Sequence, residues 1–546
     1  MNPAIGLITL NAKFIHSSLS LRYLRNAARQ AGYSRIWLRE FTIHHPLWKI
    51  ALEIQNQNLD ILGVSVYIWN RKPTLELIER LQKQNPKLRI VVGGPEVSFE
   101  KHPLSGCTLI AGEGESKWVQ CLGYMARGES PPVEIVEGWR THGTDLPALI
   151  PPYLPEDLPQ LKNRFAYLEA SRGCPYRCSF CLSALDEKVR FFDENVVQQQ
   201  LRLLLEGGVR KIKFVDRTFN LSPQRMQRLI QWLSRYPDRE FHFEVVGDLL
   251  SADMLTFLQA VPPGMFQFEI GVQTLDTAVN NRLDRHQDNG KLFRAIRRLI
   301  AEERIHVHCD LIFGLPGETL EGTMESFEEV FALNPHALQL GFLKFLPGAP
   351  IHRWVEPYGY VFQSAPPYEV IGNRDLSPEE ILHLKEFAEV FDLFNNSKRF
   401  QFSINHQVTR QRPRALFEKL LQGLKARGPS ENALSLEGQY QVFSETFKVE
   451  EEPLAMDLLK LDYLYNQRNY RLPDFMRQQG WSDSAAKLGA WEGDRKTPIV
   501  AFRHEIQGQG SQIVLTPAPT VRYYAIAHAA GSSGYLRRPR VHAVPV

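Results

Sequence analysis

Three of the chain's six cysteines, Cys174, Cys178 and Cys181, stand within the stretch SRGCPYRCSFC. Their spacing is C-x3-C-x2-C, and Gly173 and Pro175 mark the segment as a turn. Thiolates at this density are metal ligands, and both zinc and iron–sulfur clusters accept them. A structural zinc wants four ligands. No fourth Cys or His lies nearby in sequence, so a zinc site requires a distant histidine. Three thiolates on a cubane instead leave one iron uncoordinated, open to a substrate or cofactor. Inert thiols crowded by coincidence are the remaining alternative.

The elements that must position this loop follow a repeating pattern. Strand-like runs fall at 4–10, 34–41, 59–69, 88–95 and 107–115, with helical runs at 18–32 and 74–86. Alternating strands and helices predict a parallel, doubly wound sheet, a Rossmann-like domain over residues 1–135. In such sheets ligands sit beyond the carboxyl ends of the strands, where Ser65, Gly93, Gly94 and Gly112 fall. A proline-rich stretch at 136–160 reads as an extended connection. The alternation restarts at FAYLEASRGC (165–174) and continues through strands at 211–216, 240–246, 265–272, 305–313 and 337–346. Six β/α units over 161–375 predict a partial (β/α)6 TIM barrel with its site at the strands' C-terminal ends. From 376 to 546 the pattern is mostly helical, opening on a Ser377/Glu380 capping box, and the last thirty residues read as poorly ordered.

The cysteine stretch also carries an aromatic residue, Phe180, just before its last cysteine. CPYRCSFC resembles the C-x3-C-x-aromatic-C signature of radical S-adenosylmethionine (SAM) enzymes. The resemblance covers about residues 160–350. It implies a [4Fe-4S] cluster on Cys174, Cys178 and Cys181, with SAM chelating the open iron. Reductive cleavage of SAM to a 5'-deoxyadenosyl radical is the activity implied, and an electron donor such as flavodoxin or ferredoxin the partner. FVDRTFN (214–220) replaces the family's Gly-Gly-Glu and makes Asp216 a candidate for the SAM amine. FEIGVQTLD (268–276) is similar to a segment of the cobalamin-dependent branch and nominates Glu269 and Gln273 for cofactor or substrate contact. DLIFGLPGET (310–319) resembles the adenine-side pattern imperfectly, nominating Glu318. His306 and His308 share a strand face beside Cys309, and no role is assigned to them.

In the first domain, LITLNAKF lacks a G-x-G-x-x-G turn, which argues against a dinucleotide. ILGVSVYIWN, VVGGPEVS and AGEGE instead resemble the cobalamin-binding domain that precedes the radical core in one branch of the superfamily. No Asp-x-His-x-x-Gly motif is present to ligate cobalt, and His16 is the histidine nearest the equivalent loop. A methylthiotransferase would need three cysteines in this domain, where only Cys107 and Cys121 occur. LLKLDYLYNQRNYRLPDFM (458–476) resembles an uncharacterised, DUF4080-like trailing domain. The combined resemblance implies methyl transfer to an unreactive carbon of a small-molecule or peptide substrate. Cyclisation or rearrangement, a vestigial cobalamin domain, and a non-catalytic metal-binding or electron-transfer module are the alternatives.

Composition sets the outer bounds. Hydrophobic residues make up 43% and charged residues 23%, the balance of a folded chain. A formal net charge of +3 carries no dense basic stripe, so nucleic acid is not an expected partner. No stretch approaches the length of a membrane span. Six cysteines in 546 residues do not make a disulfide framework, and a reducing cytoplasm is the expected location.

Overall fold

The computed structural model describes residues 2–99, 104, 106–132, 151–186, 188–428, 434–466, 472–477, 499–509, 513–527 and 540–544. Apolar runs near the N-terminus form a five-stranded parallel sheet of β1 (Ile5–Asn11), β2 (Ile36–Thr42), β3 (Ile61–Ser65), β4 (Arg89–Gly93) and β5 (Cys107–Ile110). Its order is β2-β1-β3-β4-β5. Every residue of β1 and of β3 is buried, because helices cover both faces. Leu21 and Ala28 of α1 (Leu19–Gln30) and Trp118 and Leu122 of α4 (Glu115–Ala126) pack on one face. Ile50 and Ile54 of α2 (Leu47–Gln55) and Leu77 and Leu81 of α3 (Arg71–Gln84) pack on the other. This is the doubly wound arrangement expected from sequence, with α2 and α4 added. The strand order reverses between β1 and β3, which is where a ligand crevice opens in such sheets.

A second parallel sheet has six strands: β6 (Ala166–Leu168), β7 (Lys211–Phe214), β8 (Glu240–Val245), β9 (Phe266–Gln273), β10 (Ile305–Phe313) and β11 (Ala337–Phe342). Each pairs in parallel with the next in sequence. The crossovers are α5 (Glu194–Glu206), α6 (Pro223–Leu233), α7 (Ala252–Leu258), α8 (Asn289–Ala301) and α9 (Leu320–Ala332). Burial alternates strictly along β9 and β10. Phe266, Phe268 and Ile270 share a core with residues of these helices. Gln267, Glu269 and Gly271 therefore point to the opposite, inner face. Parallel register sets Glu244, Glu269 and His308 side by side there.

The chain after the barrel begins with helices at 378–391, 401–408, 413–426, 436–447 and 453–466. Ser377 and Glu380 form the expected capping box. Aromatic side chains weld this region to the barrel: Phe327 of α9 meets Phe387 at 5.1 Å and Phe391 at 5.3 Å between ring centroids. The helices are followed by an antiparallel sheet of β12 (Ile499–Gln507), β13 (Val514–Ala527) and β14 (Arg540–Val544). Part of β13 and all of β14 lie in the last thirty residues, so the expectation of poor order is corrected for those residues; 528–539 and 545–546 lie outside the described residues.

Residues 136–150 of the proline-rich connection lie outside the described residues. The part after them is docked. The carbonyls of Pro151 and Pro152 accept from Asn26 Nδ2 at 2.6 and 2.9 Å. Arg25 of α1 forks onto both oxygens of Asp157 at 2.7 Å, with both side chains 5% exposed. A planar guanidinium and a carboxylate satisfy each other in this geometry. Removing one partner leaves a buried charge uncompensated. Asp157→Ala should therefore cost about 3–5 kcal/mol of stability, read by denaturant unfolding. A loss no larger than a surface pair's would show that the junction carries no weight.

Candidate functional site

The cysteine loop leaves β6 and has almost no regular structure of its own, so its shape comes from contacts at both ends. At the entrance, Asp216, in the segment after β7, accepts from Ala170 N–H at 2.9 Å and from Ser171 Oγ at 2.6 Å. Gly173 has φ +90°, and a Cβ there would lie 2.4 Å from the Lys188 carbonyl, so only glycine fits. Cys174 N–H donates to the Asp186 carbonyl at 2.9 Å, and Cys181 N–H to the Cys178 carbonyl at 3.0 Å. Ser179, between the second and third cysteines, donates its N–H to the Leu283 carbonyl at 2.9 Å and receives Arg353 Nη2 on its Oγ at 2.7 Å.

Cys174 and Cys178 are buried and Cys181 partly so. Cys174 Sγ lies 3.5 Å from Thr218 Oγ1, and Arg285 Nη1 lies 3.8 Å from Cys178 Sγ. Burial raises the Cys178 thiol pKa, Arg285 beside it lowers it, and Cys181 and Cys174 raise it further. Among the described residues no three His, Cys, Asp or Glu side chains gather closely enough to hold one metal ion. A cubane takes one thiolate per iron and does not need its sulfurs to converge on one atom.

The candidates nominated from sequence occupy different surroundings. Both oxygens of Asp216 hold the base of the loop, and burial pushes its pKa up to about 7. Glu269 lies on the inner face, 3.4 Å from His242 Nε2, its pKa raised to about 7 by burial and by Asp310 and Glu244. His308 approaches Asp310 at 3.3 Å on the same face. Gln273 ends β9 with φ +65° and a buried Oε1 that has no hydrogen-bond partner. A non-glycine residue held there is strained, and such strain collects at functional sites. Glu318 is 2% exposed, accepts from Thr274 Oγ1 at 2.6 Å, and leaves Oε2 without a hydrogen-bond partner.

In the front sheet, Ser65, Gly93, Gly94 and Gly112 do fall at or just past the strand ends. Ser20 Oγ links Tyr67 Oη at 3.0 Å and Ser65 Oγ at 3.5 Å at the crevice between β1 and β3. Gly94, at φ +117°, is required by the chain itself: a Cβ would sit 2.4 Å from the Val66 carbonyl. His16 Nδ1 lies 2.6 Å from Tyr167 Oη and its backbone bridges Phe165, so its ring is engaged at the barrel.

Loops at the front sheet's carboxyl edge meet the barrel side. After β5, Glu115 pairs with Arg172 at 2.6 Å, and Glu113 pairs with Arg190; both arginines flank the cysteines. Arg172 also binds Glu169 at 2.6 Å. After β4, Glu96 accepts from Tyr368 Oη. Arg172, Thr218, Ser179 and Arg285 are absent from the sequence reading. The Arg285 contact spans 107 positions, and no local pattern signals it.

Comparison with known proteins agrees with this geometry. Residues 5–122 match the B12 binding domain, and residues 168–330 match the radical SAM superfamily. The chain thus joins a B12 binding domain to a radical SAM domain. Residues 356–502 match a protein family of unknown function, DUF4080. It is 25% identical over 352 residues to 2-(S-pantetheinyl)-carbapenam-3-carboxylate methyltransferase of Streptantibioticus cattleyicolor, covering 56% of this chain and 50% of that protein. It is 26% identical over 349 residues to the cobalamin-dependent radical SAM methyltransferase TokK of Streptomyces tokunonensis, covering 55% and 49%. The chain thus spans about half the length of these curated relatives. The fold resembles the methyltransferase TsrM of Kitasatospora setae, with TM-score 0.54 at 16% identity over 69% of this chain and 82% of that one. It also resembles the cobalamin-dependent radical enzyme OxsB, with TM-score 0.56 at 16% identity over 84% and 78%. Among the described residues no helix is long and apolar enough to cross a membrane.

Burial raises the Glu318 carboxyl from 4.5 to about 8, so the folded chain keeps a proton there that the unfolded chain has lost. The proton favours the folded state fully below about pH 4.5, and that advantage fades as pH rises toward 8. Glu318→Gln removes this dependence while keeping an acceptor for Thr274. The wild type should lose on the order of 1–3 kcal/mol more than the variant between about pH 5 and 8. Parallel melting curves for the two across that window would contradict a protonated Glu318.

Proposed function

We propose that this chain is a cobalamin-dependent radical SAM enzyme that transfers a methyl group to an unreactive carbon of a small-molecule or carrier-bound substrate. The observation that carries the reading is the junction of the two sheets. Carboxyl-edge loops of the front sheet, through Glu113 and Glu115, grip the arginines on either side of the cysteine loop. Two ligand sites, each at the strand ends of its own sheet, are thereby held against one another.

Cys174, Cys178 and Cys181 would hold a [4Fe-4S] cluster, leaving one iron for SAM. Glycine at 173 lets the loop turn, and Asp216 and Ser179 pin its two ends. The crevice lined by Ser65, Tyr67 and Gly94 would take cobalamin. When bound, these groups supply the electron that cleaves SAM and the carrier for the methyl group. The inner face of the barrel, with Glu269, Asp310 and Gln273, is left for substrate and for the non-reacting parts of SAM. The reaction needs a one-electron donor of the flavodoxin or ferredoxin class, and the cytoplasm is where such a donor and reduced thiols coexist.

Anaerobic reconstitution tests this. The wild type should take up about four irons and four sulfides per chain and form 5'-deoxyadenosine from SAM under reduction. Cys174→Ala should lose both while still taking up hydroxocobalamin, seen by its corrinoid absorption. Zinc uptake without SAM cleavage would overturn the reading. A wild type that cleaves SAM yet binds no corrinoid would make the front domain a vestigial scaffold.

A further inference from the structure

Arg285 places a guanidinium against one sulfur of the loop, and its position does not depend on that sulfur. Nη2 donates to the Gly271 carbonyl at the irregular end of β9. Nε and Nη2 donate to Gln287 Oε1 at 3.2 and 3.0 Å. The Arg285 N–H donates to the Asn280 carbonyl at 2.9 Å. What remains, Nη1, lies 3.8 Å from Cys178 Sγ, a partly buried contact. A neutral counterpart sits across the loop, where Thr218 Oγ1 lies 3.5 Å from Cys174 Sγ. The two contacts differ in charge, and charge decides how each weighs on a redox centre: the guanidinium brings a full positive charge to the sulfur, the hydroxyl only a dipole.

We propose that Arg285 raises the reduction potential of the cluster at Cys178, bringing it within reach of a cellular one-electron donor. The inference rests on the cluster reading of the three cysteines. Reduction adds one electron, delivered by a low-potential donor of the flavodoxin or ferredoxin class, and makes the cluster more negative by one charge. A fixed positive charge beside a ligand sulfur, in surroundings that exclude part of the solvent, stabilises that reduced form more than the oxidised one. Arg285 is thus a positioning residue for the electron. Its anchors on Gly271 and Gln287 keep the charge in place whether or not the cluster is reduced.

The test is a mediated redox titration of anaerobically reconstituted wild type, Arg285→Gln, Arg285→Lys and Thr218→Val, followed by the electron paramagnetic resonance of the reduced cluster. Arg285→Gln should titrate at a more negative midpoint at equal iron content. Arg285→Lys should fall between the two, since lysine keeps the charge but not the fork that anchors it. Thr218→Val should shift less than Arg285→Gln. An Arg285→Gln midpoint equal to that of the wild type overturns the proposal. If that variant holds no iron, Arg285→Met decides: a midpoint below the wild type supports the proposal and an equal one overturns it. A wild type that takes up no iron defeats the underlying cluster reading, and iron content alone separates that result from the others.

Discussion

Arg172 ties the two sheets together at the root of the cysteine loop. Its side chain is 16% exposed, and it finds Glu169 in its own turn and Glu115 from the front domain, both at 2.6 Å. Its guanidinium also lies over the rings of Tyr23 and Phe192. A buried guanidinium tolerates little error in its partners, because an unmatched charge in such a place costs several kcal/mol. The loop that starts two residues later inherits this precision. Cys174 turns away from β6 with its origin already fixed by Arg172, by Asp216 and by a short antiparallel pairing of 171–172 with 190–191.

Much of this was legible in the sequence, for reasons that differ by element. The cysteine loop announced itself by composition, since crowded thiols in a reduced chain have few uses. The barrel strands were legible because β9 and β10 alternate strictly between core and inner face. Helix α2 was hidden: Trp48 and Leu52 are exposed while Ile50 and Ile54 are buried, so apolar residues lie all round and the helical period blurs. The terminal sheet was hidden by Pro517 and Pro519, which argue against a strand. Pro517 is accommodated opposite His504, next to an irregularity in the β12 pairing.

The site residues divide in the same way. Types and spacing indicate which groups do chemistry, but they do not show which hold the others in place. Asp216 drew notice as an acid at a strand end, yet its geometry gives it a tie to Ala170 and Ser171. Arg285 drew none, because a charged residue after a helix is ordinary until a sulfur from another part of the chain lies beside it. His306 and His308 share the inner face as their spacing required, and Cys309 turns into the core.

The aromatic seam between α9 and the helices after the barrel bears on how the molecule comes apart. Phe327 and Phe331 meet Phe387, Phe391 and Phe417 in one continuous core that also runs beneath the barrel sheet. The front sheet has two cores of its own. The continuous cores therefore do not follow the family boundaries: barrel and trailing helices share one and should open together, and the front domain keeps its own. The trailing region is less an appendage than the outer wall of the barrel, and shearing it off would open the packed rings of Phe327 and Phe331 to water.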